Sequence, residues 1–337
     1  MFYFKKMNLL SIFALFAACF ALGVIGLGAF TRLMDAGLGC PDWPLCYGHV
    51  YVPHAIAVDK YKAWAEMVHR YFAGLLSILI VCVIGLSFMR SYRNRMTVLC
   101  SLALVILILY QIILGQLTVT LKLMPIIVVG HLIGGFLILS FLWLIFLTSS
   151  HEFSVMPAEL RARWHPEWQL NSSGWSRPDI CVYFAYIAIV LIFLQIMLGA
   201  WTSTNYAALS CPDFPFCFND HPFFSMDFQR AFHFFTDKNL NYEGGILSDT
   251  ARQTIHMSHR LGALVVTIYL FIFTLLIRIK SPVIFWIWGL LTLQIFLGIV
   301  NVTFQLPLFS AVSHTLVAAM LLLSLVTFLF QLRKRSE

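Results

Sequence analysis

The chain has 337 residues, of which 60% are hydrophobic and only 11% are charged. Because soluble domains average about a quarter charged residues, this composition excludes a soluble globular protein and predicts one that lies in a bilayer. The net charge of +7 is concentrated at the ends of apolar runs, where it reflects membrane topology, so it gives a nucleic-acid-binding function no support.

Eight apolar runs approach or exceed the roughly 20 residues that a membrane-spanning helix requires. We therefore predict an all-α integral membrane protein with eight transmembrane helices. The first run follows Lys5 and Lys6, as the core of a signal peptide would, but it is longer than such a core and we interpret it as the first span. The predicted spans are 8–30, 62–89, 96–120, 125–148, 179–203, 252–277, 282–303 and 307–331.

The positions of Lys and Arg predict the orientation, because cytoplasmic loops carry an excess of these residues. With eight spans the main basic clusters fall on one side, so we expect both termini in the cytoplasm. The N-terminus lacks an Arg- and Ser-rich transit segment, which favours a bacterial inner membrane. The clusters are Lys5 and Lys6; Arg90, Arg93 and Arg95; Arg161, Arg163 and Arg177; Arg278 and Lys280; and Arg333, Lys334 and Arg335.

A cysteine-containing sequence motif follows the first span and is repeated after the fifth. Residues 37–48 read GLGCPDWPLCYG, and residues 209–218 read LSCPDFPFCF. Both loops are predicted to face the outside, which is oxidising in bacteria, so two short disulfides can form, Cys40–Cys46 and Cys211–Cys217. The remaining cysteines lie in or at the ends of apolar spans and are interpreted as packing residues: Cys19, Cys82, Cys100 and Cys181.

A second repeated element lies in the odd-numbered spans, each of which contains Gly-x-x-Thr or Gly-x-x-Asn. Small residues let helices approach closely, and Thr or Asn can form hydrogen bonds between them. The repeats predict two four-helix halves, residues 1–150 and 179–337, joined by a cytoplasmic linker at 151–178. The four pairs are Gly28/Thr31, Gly115/Thr118, Gly199/Thr202 and Gly298/Asn301.

Each even-numbered span carries a histidine near its outer end. Ionisable residues within spans are costly and usually functional, although any single one of these could be a structural histidine held by hydrogen bonds. One turn later comes a small residue, which leaves clearance for a flat macrocycle. Two opposed imidazoles suit a bis-histidine haem better than a zinc site, which requires four converging ligands. The pairs are His69/Ala73, His131/Gly135, His259/Ala263 and His314/Ala318.

The two halves differ at one chemically important position. The first half reads EMVHR at 66–70, and the second reads HMSHR at 256–260. Residues three apart share a helix face, so Glu66 should point where His69 points, unless it is a solvated acid at the membrane edge. A carboxylate there can move protons or stabilise positive charge on a reacting carbon. This predicts one reactive haem site and one redox site, and the role of His256 remains open.

Three arginines are predicted on the outer side, against the general charge bias. Haem propionates are anionic and commonly bind Arg, so Arg32, Arg70 and Arg260 are candidates for propionate contacts. Contact with lipid headgroups is the alternative interpretation of each.

Together these features resemble the haem A synthase family of bacteria and mitochondria, over nearly the whole chain. The resemblance is carried by Thr31-Arg32 with the first cysteine loop, by the EMVHR segment, and by His131, His259-Arg260 and His314. It implies two four-helix bundles related by a pseudo-twofold axis. It also implies an oxidoreductase that converts haem O into haem A for a terminal oxidase, by oxidising a methyl group of the porphyrin ring to a formyl group.

The resemblance further implies roles for individual residues. Glu66 is the implied catalytic carboxylate, and haem b is the implied resident cofactor. Haem O synthase and cytochrome oxidase assembly proteins are candidate partners, and a homo-oligomer is left open. The implied haem contacts are His69, His131 and Arg70 for the substrate haem O, His259 and His314 for haem b, and Arg32 and Arg260 for propionates.

Three other functions are weighed against this interpretation. A di-haem electron carrier linked to quinone would use the four histidines but not Glu66. A thiol oxidoreductase would use the cysteine pairs but leave the histidines without a purpose. A transporter would place its site near the midplane of the membrane, whereas these histidines lie near the outer face.

Overall fold

The computed structural model describes residues 8–54, 59–150, 178–220, 225–234, 240–277 and 281–336. Within these ranges, eight helices are long and apolar enough to span a membrane, which confirms the predicted number. A one-turn helix, Phe228–Ala231, was not predicted. The spanning helices are α1 (Leu9–Leu33), α2 (Lys60–Phe88), α3 (Arg95–Thr120), α4 (Pro125–Ser149), α5 (Pro178–Thr204), α6 (Asp249–Leu276), α7 (Pro282–Thr303) and α8 (Leu308–Ser336).

Some of the sequence predictions fall outside these residues. The cytoplasmic linker predicted at 151–178 lies outside them except for the first residue of α5. The same holds for seven of the basic residues used to predict the orientation, namely Lys5, Lys6, Arg161, Arg163, Arg177, Arg278 and Lys280.

Local signals explain where several helices begin. The Asn8 side chain accepts a hydrogen bond from the Ser11 amide at 2.8 Å and so caps α1, as is typical of an N-cap residue. The same side chain donates to the Ser149 carbonyl at 2.7 Å, which ties the start of α1 to the end of α4. Helices α4 and α7 begin at proline, whose missing N–H costs nothing in the first turn.

The helices of the first half form a ring in which α1 contacts α2, α2 contacts α3, α3 contacts α4, and α4 contacts α1. The corresponding helices of the second half, α5 to α8, make the same contacts in the same order, although α6 and α7 contact each other less extensively than α2 and α3. Between the halves, α1 packs on α8, α4 on α5, and α4 on α8. This pattern is the one that a pseudo-twofold relation would produce, and the relation itself stays a prediction.

The interface between the halves is apolar and closely packed. Alanines of α1 at positions 14, 17, 18 and 21 are buried in the same core as residues of α4, α5 and α8. A Cβ added at Gly26 would lie 3.3 Å from the Leu316 side chain on α8, so α1 and α8 approach closely there. A polar contact crosses the same interface, where the Trp143 indole donates to the Thr327 hydroxyl at 2.8 Å.

At the C-terminal ends of α1 and α5, Arg32 connects the two halves. Its guanidinium donates to the Ser203 carbonyl at the end of α5 and lies 4.1 Å from the centre of the Tyr206 ring. Asp35 completes the cluster, because it pairs with Arg32 at 3.3 Å and accepts from the Tyr206 hydroxyl at 2.8 Å. Arg32 was a candidate for a haem propionate, and in the structure its partners belong to this cluster between the halves.

A segment of the second half also covers the end of the first half at the turn between α3 and α4. The Tyr242 amide donates to the Lys122 carbonyl in the turn between α3 and α4, at 3.1 Å. The Tyr242 side chain is buried together with Leu123 and Met124 of that turn.

Candidate functional site

Each of the four predicted histidines lies against a glycine of the neighbouring odd-numbered helix. The glycine of each Gly-x-x-Thr/Asn element therefore provides space for the edge of an imidazole ring. From the sequence we had interpreted these glycines only as residues that let helices pack closely. The distances from an added Cβ to the histidine Cε1 are 3.0 Å for Gly28 and His69, 3.5 Å for Gly115 and His131, 3.0 Å for Gly199 and His259, and 3.4 Å for Gly298 and His314.

The hydroxyl groups of the same elements act mostly within their own helices. Thr118 donates to the Gly115 carbonyl and Thr202 donates to the Leu198 carbonyl, each at 2.7 Å. Thr31 bonds within α1 at 2.9 Å and also approaches the Ala65 carbonyl of α2 at 3.4 Å. The expectation that these threonines join helices is therefore wrong for Thr118 and Thr202.

The histidines form two pairs, one in each half. His69 on α2 and His131 on α4 come from helices that lie diagonally across the first ring, and the two side chains are near enough to interact electrostatically. His259 on α6 and His314 on α8 are related in the same way. Among the described residues, no group of three or more His, Cys, Asp or Glu side chains converges as a metal cluster would.

The surroundings of these rings fit a haem ligated by two histidines. Each ring is partly accessible, whereas the Nδ1 atoms of His69, His131 and His314 are buried and without a hydrogen bond in the described structure. An uncompensated buried polar atom is costly, and such atoms persist at positions with a function. Axial ligands of a haem approach the iron from opposite faces, as histidines from diagonal helices can.

Glu66 is buried, with only 5% of its surface exposed. One of its carboxylate oxygens accepts from the Cys40 amide at 2.8 Å, and the other pairs with the Arg70 guanidinium. Glu66 lies one turn before His69 on α2, so the carboxylate and the imidazole share a helix face. The alternative of a solvated surface acid therefore does not apply in this structure.

Arg70 also attaches the first cysteine loop to α2. Its guanidinium donates to the Asp42 carbonyl at 2.9 Å and to the Leu45 carbonyl. Arg260 repeats this arrangement in the second half, where it donates to the carbonyls of Asp213 at 2.6 Å and Phe216 at 2.9 Å. The predicted propionate contacts of Arg70 and Arg260 thus compete with loop carbonyls that already occupy both guanidinium groups.

His256 occupies the position that Glu66 has in the first half. The Cys211 amide approaches its Nδ1 at 3.3 Å, and the Arg260 Nε approaches its Nε2 at 3.3 Å. Both neighbours are donors, and a neutral imidazole has only one acceptor nitrogen. A carboxylate can accept from both donors at once, whereas a neutral imidazole can accept from only one of them. The sequence left the role of His256 open, and its contacts connect α6 to the second cysteine loop.

Both cysteine pairs are joined as disulfides, as predicted, between Cys40 and Cys46 and between Cys211 and Cys217. Gly39 brings the first loop onto the backbone of α2, because an added Cβ would lie 2.6 Å from the Lys62 carbonyl carbon. No larger residue fits there without moving the backbone. The first disulfide therefore lies directly beside the helix that carries Glu66 and His69.

Asp42 stabilises the turn inside the first disulfide. Its carboxylate accepts hydrogen bonds from the Tyr47 amide at 2.6 Å and the Gly48 amide at 2.8 Å. Burial raises the pKa of Asp42, but these amide bonds and the nearby Arg70 outweigh it and hold the pKa below its usual value. In the second loop, Asp213 accepts from the Asn219 amide at 2.8 Å in the same way.

Comparisons with known proteins agree over most of the chain. The family described as "Cytochrome oxidase assembly protein" matches residues 11–326. A protein named heme A synthase from Shewanella oneidensis is 40% identical to this chain over 338 residues, covering 94% of the chain and 95% of the relative. Proteins of the same name from Bacillus cereus and Bacillus anthracis are each 24% identical, covering 92% of the chain and 88% of the relative.

Proposed function

The chain belongs to the cytochrome oxidase assembly protein family, and from this premise we propose that it is a haem A synthase, an oxidoreductase that converts haem O into haem A. The observation that supports this function best is a contrast between two similarly placed histidine pairs. One pair has the buried carboxylate of Glu66 one turn away, whereas the other has His256 at that position. A protein that only carried electrons would not need this difference.

In this proposal His69 and His131 hold the iron of haem O, the substrate, in the first half. His259 and His314 hold a resident haem b in the second half. When bound, haem b would supply a redox centre for the electrons that leave the substrate for an acceptor outside the protein. The partly accessible rings, their glycine clearances and the buried Nδ1 atoms support these two placements.

The reaction replaces a ring methyl group by a formyl group, with water as the oxygen source. Each of two successive oxidations removes two electrons and one proton from the methyl carbon, and a water molecule then adds to that carbon and loses a second proton. The second addition gives a hydrated aldehyde. Loss of one water then leaves the formyl group. Glu66 stabilises the positive charge that develops on this carbon, or takes the proton of the attacking water.

The contacts of Glu66 suit this role. The Cys40 amide fixes one oxygen at 2.8 Å and Arg70 pairs with the other, so the carboxylate is held in one orientation beside His69. A preorganised charge in a site from which water is largely excluded acts more strongly than the same charge in water. Arg70 and the disulfide loop thus position the carboxylate.

The protein is a multi-pass membrane protein, and we place it in a bacterial inner membrane with both termini in the cytoplasm. The cysteine loops and the four histidines then lie towards the outer face. Haem O reaches its site sideways from the lipid, because its farnesyl tail is as apolar as the bilayer. Haem O synthase and proteins of oxidase assembly are the proposed sources and recipients of the haems.

The test is a pigment analysis of protein purified from a host that supplies haem O, with the haems extracted in acid and separated by mass. We expect haem b together with haem A or a hydroxylated haem O from the wild type. Glu66→Ala should abolish both oxidised products and leave haem b bound. Glu66→His should do the same with less risk of misfolding, because the chain itself carries histidine at the equivalent position 256.

Glu243→Ala is the matched control, because Glu243 is an exposed acid of an outer loop. This variant should form haem A normally. Normal formation of haem A by Glu66→Ala would show that Glu66 is not a catalytic residue. A wild type that binds haem b and never alters haem O would instead indicate a di-haem electron carrier.

A further inference from the structure

Gln195 on α5 is a polar residue in the second half to which the reaction assigns no role. Its side-chain nitrogen lies 3.0 Å from His259 Nδ1 and 2.8 Å from the carbonyl oxygen of His259. Its side-chain oxygen is buried and has no hydrogen-bond partner in the described structure. The amide fits only because residue 262 is glycine, since an added Cβ there would overlap the Gln195 oxygen.

The present orientation of this amide suits a histidine without iron. With the Gln195 nitrogen as donor, His259 Nδ1 accepts, so the ring proton is on Nε2 and that nitrogen cannot bind a metal. Iron binding through Nε2 places the proton on Nδ1, which then needs an acceptor. A half-turn of the amide brings the partnerless oxygen to this proton, at the loss of the bond to the His259 carbonyl. An amide can therefore serve the ring in both states, because it offers a donor and an acceptor.

The same residue type recurs beside two other histidines. Gln111 and Gln294 each stand four residues before the glycine that faces His131 or His314, as Gln195 stands four residues before Gly199. Within the described part of the chain, the side-chain oxygens of Gln111 and Gln294 are buried and have no partner, and the same is true of Nδ1 in both histidines. Three of the four histidines therefore have an amide on the adjoining helix.

His69 lacks this partner. The position equivalent to Gln195 is Val24, and the position equivalent to Gly262 is Phe72, whose ring stacks on Phe20 at 5.5 Å. The Nδ1 atom of His69 is buried without a hydrogen bond. The space that an amide occupies beside His259 is thus occupied by apolar side chains at the equivalent place beside His69.

We infer that Gln195 is the positioning residue for the haem b ligand His259, and that the absence of an equivalent amide at His69 makes His69 the weaker ligand, from which haem O and haem A dissociate. A hydrogen bond at Nδ1 fixes the ring and strengthens it as a ligand, and loss of such a partner typically weakens metal binding about 10- to 100-fold. A resident haem must stay bound, whereas a product must leave. The inference rests on the proposed haem b site.

The experiment compares Gln195→Leu and Gln195→Glu with the wild type in purified protein. The measurements are the midpoint potential of haem b and the rate at which haem b transfers to excess apomyoglobin. Gln195→Leu should raise the potential and speed the transfer by about 10- to 100-fold. Gln195→Glu places a stronger acceptor at Nδ1 and should shift the potential in the opposite direction. The matched control is Gln116→Leu, since Gln116 is exposed on α3, and it should change neither quantity.

A gain-of-function variant tests the second part of the inference. Val24→Gln with Phe72→Gly installs the amide and its space beside His69, and should slow the transfer of haem O and haem A to apomyoglobin. An unchanged transfer rate overturns the assignment of His69 as the weaker ligand. If the midpoint potential of haem b is the same in the wild type, Gln195→Leu and Gln195→Glu, the role of Gln195 is overturned and the proposed function is not. A wild type without haem b overturns the proposed function together with the inference.

Discussion

Replacing Gly199 by alanine should expel haem b from the second half, because the new methyl group meets the ring of His259. The added Cβ would lie 3.0 Å from the ring carbon Cε1, whereas carbon atoms in good contact are about 3.5–4.0 Å apart. Either the ring or α5 must therefore move by about 0.5–1 Å. The ring has little freedom to do so, because Gln195 holds its Nδ1 at 3.0 Å.

Overpacking of this kind costs about 1–3 kcal/mol, which corresponds to about 5- to 150-fold weaker binding at about 1.4 kcal/mol per factor of ten. The assay is the ratio of haem b to protein after purification, measured from the absorbance of the reduced haem. Gly28→Ala should produce the same effect in the first half, where the Cβ distance to His69 is also 3.0 Å. That variant should lose haem O binding and keep haem b.

Gly115→Ala is the matched control, because its Cβ would make an ordinary contact with His131 at 3.5 Å. Alanine also favours a helix by about 1 kcal/mol over glycine, so this variant should bind haem as the wild type does. The reasoning is refuted if Gly199→Ala retains its full haem b content. It is equally refuted if Gly115→Ala loses as much haem as Gly28→Ala.

Three further outcomes follow from the cysteine loops and their arginines. Arg70→Lys cannot reproduce the planar guanidinium contacts that join Glu66 to the loop carbonyls. Pigment analysis should therefore show a lower yield of haem A and an unchanged content of haem b. Arg260→Lys should instead lower the content of haem b. Serine at both Cys40 and Cys46 removes a short loop closure worth about 2 kcal/mol, and limited proteolysis should cut residues 37–48 faster than in the wild type. Asp42 has a pKa below its usual value of 3.8, since its amide bonds outweigh the effect of burial. Its contribution to loop stability is therefore complete at neutral pH and is lost as the pH falls below about 4, which hydrogen exchange of its two amide partners should show.

The membrane spans were predictable because their signal is strong and local. Length and hydropathy identify each helix, and the observed ends differ from the predicted ones by only a few residues. These differences reflect capping: α6 begins at Asp249 because the Ser248 side chain accepts from the Ala251 amide, which adds a polar first turn to the apolar run. The one-turn helix Phe228–Ala231 escaped prediction because four residues carry no periodicity.

The candidate site was predictable where a residue type is costly in a membrane. The repeated histidines and Glu66 within spans are conspicuous on that ground alone. The backbone carbonyls that bind Arg32, Arg70 and Arg260 were not predictable, because their positions depend on how the loops fold. The signal for Gln195 was present in the sequence, in the segments QIILG, QIMLG and QIFLG. The corresponding segment of α1 reads VIGLG, and the valine at its first position, Val24, is the informative difference.

On the proposed function, one half holds a haem and the other transforms one. The histidines, their glycines, the disulfide loops and the arginines that bind those loops occur in both halves, and the proposal places a haem in each. Three differences lie around one proposed ligand in each half: Glu66 against His256, Val24 against Gln195, and Phe72 against Gly262. In the proposal, the first difference supplies a charge where a carbon is oxidised, and the other two remove the polar support of the iron ligand. If the haem beside the carboxylate were held tightly, the bound product would block the site. A site that must release its product therefore requires both changes.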